Sequence, residues 1–486
     1  MAEKVAPEKE QTLGLSVKKS ENLADWYPEV VLKSQMADYS PVKGCMVIRP
    51  NAYAIWQAIQ DAFNKRLLEL KVQNAYFPLF IPESFFKKEA THAEGFTPEV
   101  AWIANTEEGE RLAIRPTSET IMYDMYSRWI RSYRDLPLRI NQWCNVVRWE
   151  TKATKLFLRT REFLWQEGHC VYETQQQCEE ETLIMIKEYK RLAEELLALP
   201  VIVGKKSAYE TFAGAAYSLT IEAFMPDGRA LQAGTSHNLG QGFGKAFGIS
   251  FLGKDSQPHV PWQNSWGFST RLIGALIMTH GDDKGVVIPP AVAQYQAVIV
   301  PILFDKTKEV VLKECKALES TLVKAGLRVM LDDRDEHSSG WKFNDWELKG
   351  VPLRIELGPK DLEKRQVVLV RRHDGKKKPA SIDNLAQVVR QELDQIQKEL
   401  FEKAKKFLDE SIIQVNTKQQ FLDALEKRKL VLAPFCMERD VEDEIKAATG
   451  GVTTRCIPLD APEPKGQKCV WTGKPAKAMI YFAKSY

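Results

Sequence analysis

The stretch Asn145–Cys170, NVVRWETKATKLFLRTREFLWQEGHC, sets the strongest limit on what this chain can become. It reads as two strands joined by a long basic loop, and in a strand alternate residues share a face. Arg148 and Glu150 therefore point one way on the outgoing strand, and Arg161, Phe163, Trp165, Glu167 and His169 share a face on the return. Such a surface is a poor apolar core, because unpaired charge is costly to bury. It suits the floor of a site for a polar ligand. A guanidinium fork fits a phosphate bidentately, and Arg159 and Thr160 in the loop are placed to close over a nucleotide. The bland alternative is an ordinary charged antiparallel hairpin.

Upstream, Ile55, Ile59, Phe63 and Leu67 recur every fourth position between Asn51 and Leu70, which predicts an amphipathic helix. The following NAYFPLFIP reads as an apolar strand whose two prolines suggest an edge or an interface. Thr117, Ser118 and Glu119 precede a helix with Met122, Tyr126, Trp129 and Tyr133 on its apolar face, so Thr117 or Ser118 is a natural N-cap. Beyond the central hairpin, Leu183, Ile186, Ala193 and Leu196 mark a helix from about Cys178 to Leu199. YSLTIEAFMPDGRALQAGTSHNLG is a second hairpin with a Pro-Asp-Gly turn. Gly234 and the run Gly240, Gly242, Gly244 would let backbone approach a ligand closely. His237 alone reads equally as a structural histidine. WGFSTRLIGALIM passes from strand to helix with Arg271 in the helix's first turn, where anions are favoured.

The membrane-like window Val286–Phe304 is interrupted by Pro289, Pro290, Pro301, Gln294 and Gln296, which predicts a linker and the buried strand AVIVPILF rather than a membrane span. A helix near Lys308–Gly326, strand RVMLDD, a helix around Trp341–Lys349 and strands VPLRIEL and RQVVLVRR then predict an α/β domain with a largely parallel sheet. Val389, Leu393, Ile396, Leu400 and Phe407 predict one long amphipathic helix, followed by an α+β module of about 75 residues. At 486 residues there is room for two or three domains. A net charge of only +3 means that any nucleic-acid contact must come from local patches. The eight cysteines form no tight framework, and the first twenty residues carry neither a hydrophobic signal core nor an Arg-rich, acid-poor targeting pattern. A cytoplasmic protein with a disordered tail is expected.

VVRWE followed by FLRTREFLWQEGH resembles motif 2 of class II aminoacyl-tRNA synthetases, and the wording FLWQEGH is that of the prolyl-tRNA synthetases. GTSHNLGQGFGKAFGISF and NSWGFSTRLIGALIMTHGDDKG resemble the same family, the second being its motif 3, and WKFNDWELKGVPLRIELGPKDLE resembles its anticodon-binding domain. The likeness runs from about Leu23 to Tyr486. It implies an α/β and α+β multidomain protein: a disordered tail at 1–20, a class II antiparallel-sheet catalytic domain at 21–288, an α/β anticodon-binding domain at 289–384, and a long helix with a small α+β zinc-binding-like C-terminal module at 385–486.

The implied activity is ATP-dependent ligation of L-proline to tRNA(Pro) through prolyl-adenylate, with ATP and Mg²⁺, in a homodimer formed through motif 1 with Pro78 at its contact. By the resemblance Arg148 meets the α-phosphate and Arg271 the γ-phosphate. Glu150, Arg159, Thr160, Gln232 and Thr235 belong to the ATP site, with Glu150 and Gln232 also near Mg²⁺. Thr117 and Glu119 hold the amino group of proline, and Arg148, Trp165, Glu167, His169, Phe212, His237, Gly267 and Ser269 complete its pocket. In the anticodon domain Arg334, Trp341, Lys342, Glu347 and Arg354 offer groups for unstacked bases, and Arg371, Arg372 and Lys376–Lys378 offer phosphate contacts. A non-catalytic RNA-binding or regulatory relative is the alternative, although it would need neither Arg148 nor Arg271. Only about 100 residues separate His169 from Thr270, so the large editing insertion of the family's bacterial form is not expected.

The C-terminal module departs from the pattern of two cysteine pairs that bind zinc in its relatives. Cys436 and Cys469 remain, whereas Val441 and Thr472 stand where their partners would be. Two sulfurs leave half of a tetrahedral site unfilled; the alternatives are Cys456 as a third sulfur outside the family's pattern and Glu438 or Asp440 completing a weaker site. Zinc is therefore expected to be absent, with Val441 and Trp471 filling the space.

Overall fold

In the computed structural model residues 14–90, 99–104, 109–149 and 154–486 are described, and the chain divides into two compact units. One comprises Tyr39–Ile48, Ile55–Thr279 and Phe401–Tyr486. Its heart is an antiparallel sheet in which Leu138–Val147, Glu162–Tyr172, Trp262–Ser269, Arg229–Gly240 and Tyr217–Phe224 lie side by side. The hairpin read from the sequence is thus the sheet's core. Beyond it the sheet continues into the C-terminal module: Ala478–Ser485 pairs with Arg229–Gly240 in parallel, and Ile457–Pro458 pairs with Ile202–Lys205.

Alternation separates the two faces. Trp143, Trp266 and Phe268 point to the back, where Trp266 and Phe268 meet Phe63 and Tyr189 edge-on. Phe63 comes from the helix Pro50–Glu69, whose Ile55, Ile59 and Leu67 are also buried, and Tyr189 from the helix Gln175–Arg191. Gly168 fits this face because a Cβ there would lie 2.2 Å from the Trp266 ring. The front face is left for polar side chains.

The other unit takes the described residues through Asp38, Arg49–Ala54 and His280–Leu400. Its sheet order is Val329–Leu331, Ala297–Pro301, Leu353–Leu357, Gln366–Arg371, Lys377–Ser381. The first two pairings are parallel and the last two antiparallel, so the sheet is less parallel than the alternation of elements suggested. Val286–Ala293 is no exposed linker: Val286, Val287, Ile288, Val292 and Ala293 are all buried. No helix among the described residues is long and apolar enough to cross a membrane.

Other local expectations are corrected. NAYFPLFIP is not one strand: Asn74 pairs with Asn141 at its start and Phe80–Pro82 pairs with Leu112–Ile114 at its end, since a proline in the run removes a ladder donor. Ser118 takes the N-cap position of Glu119–Trp129 without capping by its side chain, whose hydroxyl donates to Glu167 instead. Gly242 and Gly244 lie in the short helix Gly242–Phe247, where a Cβ on Gly244 would meet Val260 rather than a ligand. In the anticodon-type unit Lys342 is 2% exposed beside Asp332, and Arg372 forks onto Asp282 at 2.7 Å for both bonds. Arg371 is likewise paired with Glu399, and Arg354 with Glu356, so these cations brace the fold instead of facing outward as RNA contacts.

Gly168→Ala should force the Trp266 ring from its place, an overpacking cost of about 1–3 kcal/mol. Thermal unfolding should therefore show a melting temperature lower by several degrees, whereas an unchanged transition would contradict the packing.

Candidate active site

The strand register lines up the front-face side chains in rows. Gln142, Glu167, Gly267 and Thr235 are successive partners across four strands, as are Ile140, His169, Ser265 and His237 in the next row. Above them is a cavity of about 280 Å³ lined among others by Thr117, Glu119, Arg148, Trp165, Phe212, Gln232, Ser269 and Arg271. The sequence scattered these residues over more than 150 positions, and the sheet collects them.

Glu167 is 2% exposed and its carboxylate is saturated. Oε1 accepts from Ser118 Oγ at 2.5 Å and Gln142 Nε2 at 3.0 Å, while Oε2 accepts from the Ser118 amide at 3.1 Å and meets His169 Nε2 at 3.1 Å. Burial would raise this carboxyl's pKa, but the hydrogen bond and charge of His169 outweigh it and hold the value below the ordinary one. Burial lowers and the Glu167 bond raises the value of His169, with a net rise helped by the charge of Glu119. Tyr123 and Tyr126 fix this strand from the neighbouring helix, through the His169 ring at 3.1 Å and its carbonyl at 3.0 Å. Glu119 accepts from the Thr117 hydroxyl, and its carboxylate stands within 4.8 Å of the Glu167–His169 pair. This end of the cavity is built for a cationic ammonium.

Aromatic rings form part of the walls. The Arg148 guanidinium lies over Phe163 at 5.7 Å and Trp165 at 5.5 Å, and Phe212 stands 4.9 Å from His237. His237 shares a 2.7 Å hydrogen bond with Ser218 and is held neutral, its pKa driven down to about 3 by burial and then by the charge of Lys206. Arg148 donates to the Pro116 carbonyl at 3.2 Å, and Arg271 to the carbonyls of Leu158 at 3.1 Å and Gln232 at 3.4 Å. Arg271 opens the helix Arg271–His280, so its charge adds to a helix N-terminus. Carbonyl oxygens thus anchor two guanidinium groups that line one cavity with a cation-binding end.

Not every expected residue lines the cavity. Glu150 lies outside the described residues. Thr160 turns its hydroxyl to the Glu162 carbonyl, and Arg159 exchanges backbone hydrogen bonds with Lys155, so neither reaches the wall. Lys206, Glu210 and Ser265, in contrast, line it without having been singled out. Lys206 and Glu210 sit in KKSAYETF, whose mixed charges look like any surface loop; the one available signal was its place just after the short strand Ile202–Lys205.

Comparison with known proteins agrees with this geometry. The chain matches the class II tRNA synthetase core domain (G, H, P, S and T) over residues 99–280, an anticodon-binding domain over 296–392 and the C-terminal domain of prolyl-tRNA synthetase over 418–486. A cytoplasmic proline–tRNA ligase of Arabidopsis thaliana is 48% identical across 98% of this chain and 92% of the relative. The chain belongs to the prolyl-tRNA synthetase family. A proline–tRNA ligase of Alkaliphilus oremlandii is 52% identical across 96% of both chains, and one of Natranaerobius thermophilus is 50% identical across 96% of this chain and 97% of the relative. The antiparallel sheet with motifs 2 and 3 on adjacent strands is the prolyl-tRNA synthetase core.

The Glu167–His169 pair carries a pH signature. His169 titrates above its ordinary 6.5 in the fold, so its contribution to stability is complete below 6.5 and is lost as pH rises through the raised value. Glu167 titrates below its ordinary 4.5, so its contribution is complete above 4.5 and is lost as pH falls through the lowered value. Denaturation midpoints should therefore decline on both sides of the 4.5–6.5 window. Glu167→Gln should lose both declines and cost about 2–4 kcal/mol, because His169 is left buried without its counter-charge. Identical pH profiles for the two proteins would contradict the pairing.

Proposed function

We propose that this chain activates L-proline with ATP and transfers it to tRNA(Pro). The carrying observation is the cavity's polarity: carboxylates at one end, arginines 148 and 271 anchored to carbonyls, and the rings of Trp165 and Phe212 on its walls. The ammonium of proline pairs with Glu119 and Thr117 beside the Glu167–His169 floor. One carboxylate oxygen bonds to the α-phosphorus of ATP, the bond to the bridging oxygen breaks, and pyrophosphate leaves. A terminal ribose hydroxyl of the tRNA then attacks the acyl carbon and AMP leaves. The protein's part is to position and to stabilise charge, with Arg148 at the α-phosphate and Arg271 at the γ-phosphate.

Magnesium, when bound with the triphosphate, would neutralise its charge. A hard cation wants oxygen ligands and keeps several waters, which suits the Gln232 side-chain amide oxygen and Glu150. The Glu119–Glu167–His169 trio does not suit it, because Glu167 is committed to N–H and O–H donors. The anticodon-type unit would bind the tRNA's anticodon. Its remaining outward candidates are Trp341, stacked on His337 at 3.6 Å, and lysines 376–378. A cytoplasmic homodimer through the Pro50–Glu69 helix and the segment that follows is the assembly we infer from the family.

Between His169 and Arg271 the chain builds the helix Gln175–Arg191 and strands of the catalytic sheet itself, which supports a synthetase without its own editing domain. In the C-terminal module Cys436 and Cys469 are buried together with Val441 and Trp471 in one apolar cluster. Cys456 belongs to a different cluster with Phe224 and Leu408. These placements support a module that folds without zinc.

Proline-dependent exchange of pyrophosphate into ATP is expected. Arg148→Ala should lower it by roughly 100-fold or more, about 3 kcal/mol in the transition state. Full exchange in the variant would overturn the assignment of Arg148. Elemental analysis of protein purified without chelator should find no stoichiometric zinc; one zinc per chain, lost in Cys436→Ser, would overturn the reading of the module.

A further inference from the structure

A second cavity, of about 260 Å³, lies wholly within the unit that carries the anticodon-type sheet. Part of its lining is apolar: Ile288, Ala293 and Val351 are buried, and Met330 joins them. Trp346 adds an indole whose N–H is already donated to Asp332 at 2.7 Å, so only its ring is left for a ligand. Tyr295, also on the wall, meets that ring edge-on with centroids 6.2 Å apart. No carboxylate among the described residues lines the cavity. Its volume falls just below the range of about 300–1,000 Å³ that holds drug-sized ligands, so the occupant is a molecule of metabolite size.

The polar side chains on the wall fall into two groups. Lys349 is committed: its Nζ meets both oxygens of Asp345, at 2.9 and 3.0 Å, and its carbonyl accepts from the Asn51 side-chain amide at 3.2 Å. Arg49, Gln35 and Gln294 are not. All three are half-buried, and none of their side chains makes a hydrogen bond or ion pair with a described residue. The backbone of Arg49 is nonetheless fixed, its amide donating to the Met36 carbonyl and its carbonyl accepting from the Tyr53 amide, both at 2.9 Å. Gln35 is held at φ +59° in the turn that ends the helix Leu23–Lys33, where glycine is the unstrained choice. The strained glutamine sets an amide on a wall where glycine would leave none.

A half-buried guanidinium with no acid beside it selects an anion, and its planar fork fits a carboxylate through two parallel bonds. The two amides add neutral donors. Inorganic phosphate suits the cavity less, because a dianion calls for more than one free cation and gains nothing from apolar walls. We propose that this cavity binds a small aromatic monocarboxylate, its carboxylate held by Arg49 with Gln35 and Gln294 and its ring on the apolar side with Trp346 and Tyr295. No residue lines both this cavity and the catalytic one, so the site uses none of the groups assigned to proline or ATP.

Calorimetric titration of the full-length chain with phenylacetate and with indole-3-acetate tests the site. At least one acid should bind once per chain, with an affinity that saturating proline leaves unchanged. Phenylacetamide, which keeps the ring and lacks the charge, should bind at least about 10-fold more weakly, and Arg49→Gln should weaken the acid by about 10- to 100-fold. Gln35→Gly should weaken the acid about threefold without lowering the melting temperature, since glycine relieves the left-handed backbone; a merely structural glutamine would leave binding untouched. If Arg49→Gln does not fold, that second variant carries the comparison. The proposal is overturned if neither acid binds at about 10 mM, if Arg49→Gln binds as tightly as the unmodified chain, if proline displaces the acid, or if inorganic phosphate binds as tightly.

Discussion

The active-site unit is arranged around one buried carboxylate, that of Glu167. A charge in the middle of a sheet survives only when every lone pair is occupied, since an unpartnered carboxylate would shift its pKa and neutralise. Here four donor groups come from three residues: Gln142 on the adjacent strand, His169 two residues along, and both the amide and hydroxyl of Ser118. Ser118 is the N-cap residue of the helix Glu119–Trp129, so satisfying Glu167 also sets where that helix begins. Thr117 and Glu119 flank the same residue and are thereby carried to the rim of the cavity. One electrostatic requirement in the floor thus fixes two residues that line the cavity.

The sheet can afford a polar front because its back is so apolar. Trp143, Trp266, Phe268, Phe63 and Tyr189 interlock edge to face with centroids 5.1–6.5 Å apart where they touch. Gly168 and Gly234 lie under Trp266 and Tyr189, where any side chain would lift the aromatic layer. Rigidity on the back is what lets the front hold guanidinium groups against carbonyls. The carbonyls of Pro116, Leu158 and Gln232 accept from Arg148 and Arg271 there.

Much of this was legible in the sequence. The alternation in REFLWQEGH named the polar floor correctly, since period 2 is a direct consequence of strand geometry. The helix at Asn51–Leu70 and the Pro-Asp-Gly hairpin were equally plain, and resemblance supplied roles that spacing alone did not. What failed shares a cause. Ser118 was read as a cap because its local pattern is a cap, yet a buried acceptor 49 positions away takes its hydroxyl. Lys342, Arg371 and Arg372 looked like an RNA-facing surface, yet Asp332, Glu399 and Asp282 neutralise them. Lys206 was not singled out at all, because nothing in KKSAYETF marks it as a buried residue of the cavity wall. Partners distant in sequence leave no periodic mark.

The C-terminal module is the largest such long-range effect. Its terminal strand adds only two residue pairs to the catalytic strand Arg229–Gly240, too few to join the parts by backbone alone. Side chains make the union: Phe224, Ala230, Leu408, Leu430, Cys456 and Tyr481 form one core across both, and Gly204 lets Cys456 approach to where a Cβ would clash at 2.6 Å. An apolar seam is insensitive to rotation, because dispersion has no preferred direction. Arg455 on Glu222 supplies the direction the seam lacks, since a buried fork satisfies its carboxylate in one geometry only. A module with only two of the zinc-pattern cysteines therefore has a separate source of order: its own core around Phe421, Phe435 and Phe482 holds it folded, and the buried charges fix its orientation on the sheet.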